Sequence, residues 1–121
     1  MASPTSRTLS HLREQGYMAG VVEFWNPHTN TRRDLFGFLD IVAARTGEVL
    51  GVQATSTGGA SRVNKILNEC RDDAILWLEA GTFLQVWGWK KYAKAVNRKW
   101  WRPRIWDITL TNGELVAEVR K

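Results

Sequence analysis

The residues best placed to do chemistry lie between Arg32 and Ser56, in the stretch RRDLFGFLDIVAARTGEVLGVQATS. Asp40 stands between Leu39 and Ile41 in an otherwise apolar run. A carboxylate in that position is costly to bury unless something pairs with it. Gln53 and Thr55 are two residues apart on a predicted strand, so their side chains share one face. An acid at the end of one strand, beside two polar groups on its neighbour, is a way for a small sheet to hold a divalent cation. The side-chain carbonyl of Gln53 and the backbone carbonyl of Ala54 are hard oxygen donors acceptable to Mg²⁺. Taken alone, Asp40 reads as a strand-end acid that faces solvent or caps a turn. Gln53 and Thr55 tip the reading toward a cation site, and Asp34 or Glu23 could supply the further negative charge that such a site needs.

A second chemical signal is electrostatic. Lys90, Lys91, Lys94, Arg98, Lys99, Arg102 and Arg104 fall in one stretch with no acid among them, whereas the whole chain carries only +5. The remainder is therefore mildly acidic, and a basic segment on such a body suits an anionic partner, most simply a phosphate backbone. Tyr92, Trp100 and Trp101 are interleaved with these cations. Exposed aromatics can stack on unpaired bases or wedge a junction, and the competing reading is that Trp100 and Trp101 simply tether the segment to the core, as one of the two is expected to do.

Other chemistries find little support. His11 and His28 are the only histidines and lack ligand spacing for zinc. Cys70 lies on an apolar helical stripe and reads as core. Gly58-Gly59 has no following Lys-Ser/Thr and is no phosphate-binding P-loop. The single cysteine excludes an internal disulfide and suits a reducing cytoplasm. The first ten residues are polar and no run approaches the length of a membrane span, so a cytoplasmic location without membrane attachment is expected.

The elements that must position these groups follow from periodicity. A chain of 121 residues is expected to form one domain, divided into a core (1–89), the basic aromatic segment (90–104) and a terminal hairpin (105–121). Ser3-Pro4 starts a helix that Gly16 ends. Three strands are expected next: Ala19 to Trp25, a second that reaches Asp40 with a kink at Gly37, and Glu48 to Thr55. A loosened loop at Thr57-Gly58-Gly59-Ala60 leads to one helix, capped by Ser61 and ended by Gly81. Val63, Ile66, Leu67, Cys70, Ala74, Ile75 and Leu78 recur along it at helical spacing. Arg62 and Lys65 lie on its exposed side just after the loop, where they could reach the site or simply be solvated. Phe83 to Lys90 is an apolar strand expected inside the sheet, and Asn112-Gly113 turns Arg104–Thr111 into Leu115–Val119.

Leu39-Asp40-Ile41, followed by Gly51-Val52-Gln53-Ala54-Thr55, resembles the core motif of the PD-(D/E)XK nucleases. The similarity is greatest to their small Holliday-junction-resolvase and VRR-NUC-type branches. Asp34-Leu35-Phe36-Gly37, Ser61-Arg62 and Lys65 resemble phage and bacterial members of that group. The resemblance covers roughly residues 5–90 in element order. It implies a restriction-endonuclease-like α/β fold: an α-β-β-β-α-β core, a central mixed sheet flanked by helices, with the C-terminal β-hairpin added. It also implies hydrolysis of DNA phosphodiesters with Mg²⁺ or Mn²⁺, branched DNA as substrate, and a homodimer. The implied metal ligands are Asp40, Gln53, Asp34 and Glu23, with Asp40, Gln53, Thr55, Lys65 and Arg62 as the catalytic set. Gln53 stands where an acid is usual and Thr55 where a lysine is usual. A second reading therefore stands beside the first: a domain of the same fold that binds nucleic acid without cutting it.

Overall fold

The computed structural model describes residues 3–95 and 98–120. Helix α1 (Pro4–Glu14) opens as its sequence predicts. Ser3 Oγ accepts from the Ser6 N–H at 3.1 Å, and Ser6 Oγ accepts from the Ser3 N–H at 3.0 Å, a reciprocal cap that satisfies two otherwise orphaned donors. Proline in the first turn gives up only an N–H that has no helical partner. Gly16, at φ +92°, takes the left-handed conformation that ends the helix.

Eight strands follow: β1 (Met18–Val21), β2 (Phe24–Asn26), β3 (Thr31–Arg33), β4 (Ile41–Arg45), β5 (Glu48–Thr55), β6 (Phe83–Ala95), β7 (Arg98–Thr111) and β8 (Glu114–Val119). Six of them form one mixed sheet in the order β1-β4-β5-β6-β7-β8, while β2 and β3 pair only with each other. All neighbours in the large sheet are antiparallel except β5 and β6. A parallel pair needs a long crossover, and here it carries α2 (Ala60–Asn68) and α3 (Arg71–Glu79). The protein is thus an α/β fold with helices on both sides of a mixed sheet. Among the described residues, no helix is long and apolar enough to cross a membrane.

Strand alternation sorts the core into two layers. Leu50 and Val52 of β5 pack with Leu12, Ile41, Trp87 and Trp89 beneath α1. Gly51 points the other way, where a Cβ would meet Leu39 at 2.5 Å and Trp77 at 3.0 Å. Phe38, Leu39, Val63, Ile66 and Val86 fill that second layer beneath α2 and α3. Gln53 and Thr55 share the parity of Gly51 and so belong to the second layer. Trp89 shows how the polar edge of a large core ring is satisfied. Its Nε1–H donates to Thr8 Oγ1 at 2.9 Å, and the same hydroxyl donates to the Pro4 carbonyl at 2.7 Å.

Several expectations are corrected. The strand expected from Ala19 to Trp25 breaks at Val22-Glu23, and its second half leaves the sheet as the β2–β3 hairpin. No extended strand runs into Asp40. The Leu35 and Leu39 backbones bond reciprocally at 2.9 and 3.0 Å around Phe36 (φ +56°) and Gly37 (φ +83°), closing a tight turn. The helix expected to run unbroken to Gly81 is two helices, with Cys70 at the N-cap of the second and only half-buried. The cap of α2 is Gly59, not Ser61, which lies inside the helix. The Gly58-Gly59 stretch is not loose. It packs onto β6 at Gly88, where a Cβ would lie 2.1 Å from the Gly58 carbonyl carbon, and Trp106 Nε1 donates to the Gly58 carbonyl at 3.1 Å. Residues 90–95 and 98–104 of the basic segment continue the paired strands β6 and β7.

Candidate metal centre

Asp40 immediately precedes β4, and its backbone is locked into the sheet on both sides. Its N–H donates to the Val52 carbonyl at 2.9 Å, and its carbonyl accepts from the Val22 N–H at 2.8 Å. The side chain is 4% exposed. Its Oδ2 accepts from the Ala54 N–H at 2.8 Å and from Gln53 Nε2 at 2.8 Å. Gln53 Nε2 also donates to Asp34 Oδ2 at 3.2 Å, so one amide group bridges two carboxylates. The Leu35–Leu39 turn, rather than strand parity, brings Asp34 back over Asp40. Glu23 arrives from the break between β1 and β2, and oxygens of Glu23, Asp34 and Asp40 all lie within 4.8 Å of one another.

The electrostatic consequence is large. Burial first, then the neighbouring Asp34 carboxylate and the Glu23 charge, push Asp40 up to about 8, against the opposing pull of the Ala54 N–H. Burial and the clustered carboxylates thus favour a protonated cluster when no cation is bound. Gln53, at 2% exposure, turns its NH₂ toward the carboxylates and leaves Oε1 buried with no hydrogen-bond partner among the described residues. An orphaned buried acceptor is uncommon and costly. The three carboxylates are hard oxygen donors that could hold a metal ion, and Gln53 Oε1 would join them only with its amide turned over, since its NH₂ faces them here.

The cluster lies in a cleft of about 910 Å³, and the structure brings every expected catalytic and metal-binding residue to it: Glu23, Asp34, Asp40, Gln53, Thr55, Arg62 and Lys65. Thr55 is buried, its hydroxyl 3.2 Å from that of Thr57, and it adds no charge. Arg62 enters from the first turn of α2 and Lys65 from its last, and both line the cleft. Two contributors were not anticipated. Arg32 and Arg33 of β3 line the cleft, and Arg32 reaches Glu23 at 3.5 Å. Ser3, Thr5 and Ser6 bring the start of α1, the end of a helix that favours anions, to the same opening. The signal for the arginines was present in their adjacency to Asp34, but only the turn shows that all three face one place.

The basic residues beyond the cleft divide by strand parity. Thr55 pairs with Gly88, which pairs with Arg104, and Lys90 pairs with Arg102. Lys90, Arg102 and Arg104 therefore share the sheet face of Thr55, and all three are exposed. Lys91 pairs with Trp101 on the opposite face, where the Arg7 guanidinium stands 4.7 Å over the half-buried Trp101 ring. Trp101 is thus a tether to the α1 layer. The side chains of Tyr92, Lys94, Arg98, Lys99 and Trp100 lie outside the described residues.

Comparison of the chain with protein-family models, with curated proteins and with solved structures gives no match in any of the three.

Proposed function

We propose that this chain is a divalent-metal-dependent nuclease of restriction-endonuclease-like topology that hydrolyses DNA phosphodiesters. The observation that carries the reading is the pairing of opposite charges in one cleft. A buried carboxylate cluster with an unpaired amide oxygen forms its floor, and Arg32, Arg33, Arg62 and Lys65 line it. Acids alone repel a phosphate and cations alone need no acids, whereas phosphodiester hydrolysis uses both. Asp40, Asp34 and Glu23 would hold the ion, joined by Gln53 Oε1 once its amide had turned over, and the bound ion would polarise the phosphate and lower the pKa of the attacking water.

The chain's own groups supply the remainder. The cleft cations neutralise the phosphate and orient it, as positioned cations do at phosphoryl centres. Lys65 or Arg62 takes the position that a lysine on β5 would hold, since Thr55 brings no charge. Lys90, Arg102 and Arg104, on the site's face of the sheet, grip the flanking backbone. Branched DNA as substrate and action as a homodimer belong to the same proposal.

A second reading, a binding domain that no longer cuts, is favoured by Gln53 and Thr55, which stand where an acid and a lysine are usual. The deciding experiment is cleavage of labelled four-way junction, linear duplex and single-stranded DNA with Mg²⁺ or Mn²⁺, beside Asp40→Ala. Cutting that Asp40→Ala abolishes supports the nuclease. Binding of all three substrates without cutting, unchanged by the substitution, supports the second reading.

A further inference from the structure

The β2–β3 hairpin is poorly explained as a structural element. It belongs to no larger sheet, each strand has three residues, and two of its large apolar side chains face solvent: Phe24 at 54% and Trp25 at 53% exposure. Its register sets Phe24 opposite Arg33 and Trp25 opposite Arg32. Directly opposed residues in an antiparallel pair project to the same side. Each side of the ribbon therefore presents one ring and one guanidinium. Both arginines line the cleft, and Arg32 bonds to Glu23 of the carboxylate cluster, so the ring side that carries Trp25 is tied to the site itself. Exposed Phe36, in the turn that places Asp34, adds a third ring close by in the chain.

Rings beside cations suit a particular ligand. A guanidinium takes a phosphate, and an exposed aromatic face takes a base only when that base is free of its own stack. Bases inside an uninterrupted duplex are not free, whereas those of a single strand, a frayed end or a branch point are. We infer that the β2–β3 hairpin, through Trp25 and Phe24, is a stacking platform for unpaired nucleobases of a strand whose phosphates enter the cleft. This rests on the reading of the cleft as a phosphate site and narrows its substrate to nucleic acid with unpaired bases at the point of entry.

The test is metal-free binding by fluorescence anisotropy, with EDTA present and the full chain. The probes are a labelled single strand, the same strand fully paired, and an abasic strand of equal length. The wild type should bind the base-bearing single strand best. Trp25→Ala should weaken that binding roughly tenfold and leave the abasic and duplex probes unchanged, while Trp25→Phe, which keeps a ring, should retain it. Phe24→Ala should act in the same direction. Equal binding of abasic and base-bearing strands, or an equal effect of Trp25→Ala on all three probes, overturns the platform and leaves the phosphate site standing. Failure of the wild type to bind any probe overturns the phosphate reading and the platform together. A Trp25→Ala effect on self-association in sedimentation, with no change in base preference, makes the hairpin a contact between copies and overturns the inference.

Discussion

Asp40→Asn should alter how the stability of the metal-free protein depends on pH. An aspartate in the unfolded chain titrates near 3.9, whereas burial and Asp34 push folded Asp40 up to about 8. Between those values the folded state binds the proton more tightly than the unfolded state does. Unfolding therefore releases a proton, and stability falls as pH rises through that window, levelling off above about 8. The limiting slope is about 1.4 kcal/mol per pH unit, or up to about 4 kcal/mol between pH 5 and 8. Asparagine keeps an oxygen for the Ala54 N–H and has no proton to lose. The assay is urea unfolding in EDTA at pH 5, 6, 7 and 8. The gain of Asp40→Asn over wild type should grow with pH by a few kcal/mol. Saturating Mg²⁺ at pH 8 should restore the wild type by about 2.7 kcal/mol at a hundredfold excess over Kd and leave the variant unmoved. Parallel pH curves for the two proteins would refute the buried, proton-holding cluster.

Two further outcomes follow from the same geometry. Gln53→Glu replaces a donor that bridges Asp34 and Asp40 with another carboxylate. The metal-free protein should lose about 2 kcal/mol or more at pH 8, and its Mg²⁺-induced rise in Tm should exceed that of wild type; a smaller rise would remove Gln53 from the donor set. Gly88→Ala places a Cβ 2.1 Å from the Gly58 carbonyl carbon. It should cost at least about 2 kcal/mol in chemical denaturation and disturb the Trp106–Gly58 bond, whereas Gly20→Ala, with nothing within 4 Å, should stay within about 0.5 kcal/mol. Equal stability of the two alanine variants would count against the packed loop.

What was legible in the sequence was local. The Ser3-Pro4 cap, strand Glu48–Thr55, the interior strand from Phe83 and the Asn112-Gly113 hairpin each depend on neighbours within a few residues, and each is found where expected. Period-two alternation put Gln53 and Thr55 on one face, and Asp40 stood out as an acid in an apolar run. Where a local pattern had two outcomes, it misled. An apolar stripe continues through Glu69-Cys70 whether or not the backbone does, so one helix was expected where there are two. A glycine pair allows a loose loop or a close approach, and only the facing Gly88 shows that the approach is close.

The sequence by itself thus determined the start of α1, strand β5, the interior strand from Phe83, the terminal hairpin, the charge asymmetry and the acid in the apolar run. Tertiary structure alone decided the composition of the cleft. Glu23, Asp34 and Asp40 meet because a strand breaks at Val22-Glu23 and a turn folds Leu35 onto Leu39, and neither event has a periodic signature. Arg32 and Arg33 line the same cleft from the β2–β3 hairpin, on which Phe24 and Trp25 are exposed. The raised proton affinity of Asp40 is likewise tertiary, since it comes from burial and from charges distant in sequence. The basic residues show the division most clearly. Their number is read from the sequence, but which of them face the site depends on a strand register that ties Thr55 to Gly88 and Gly88 to Arg104.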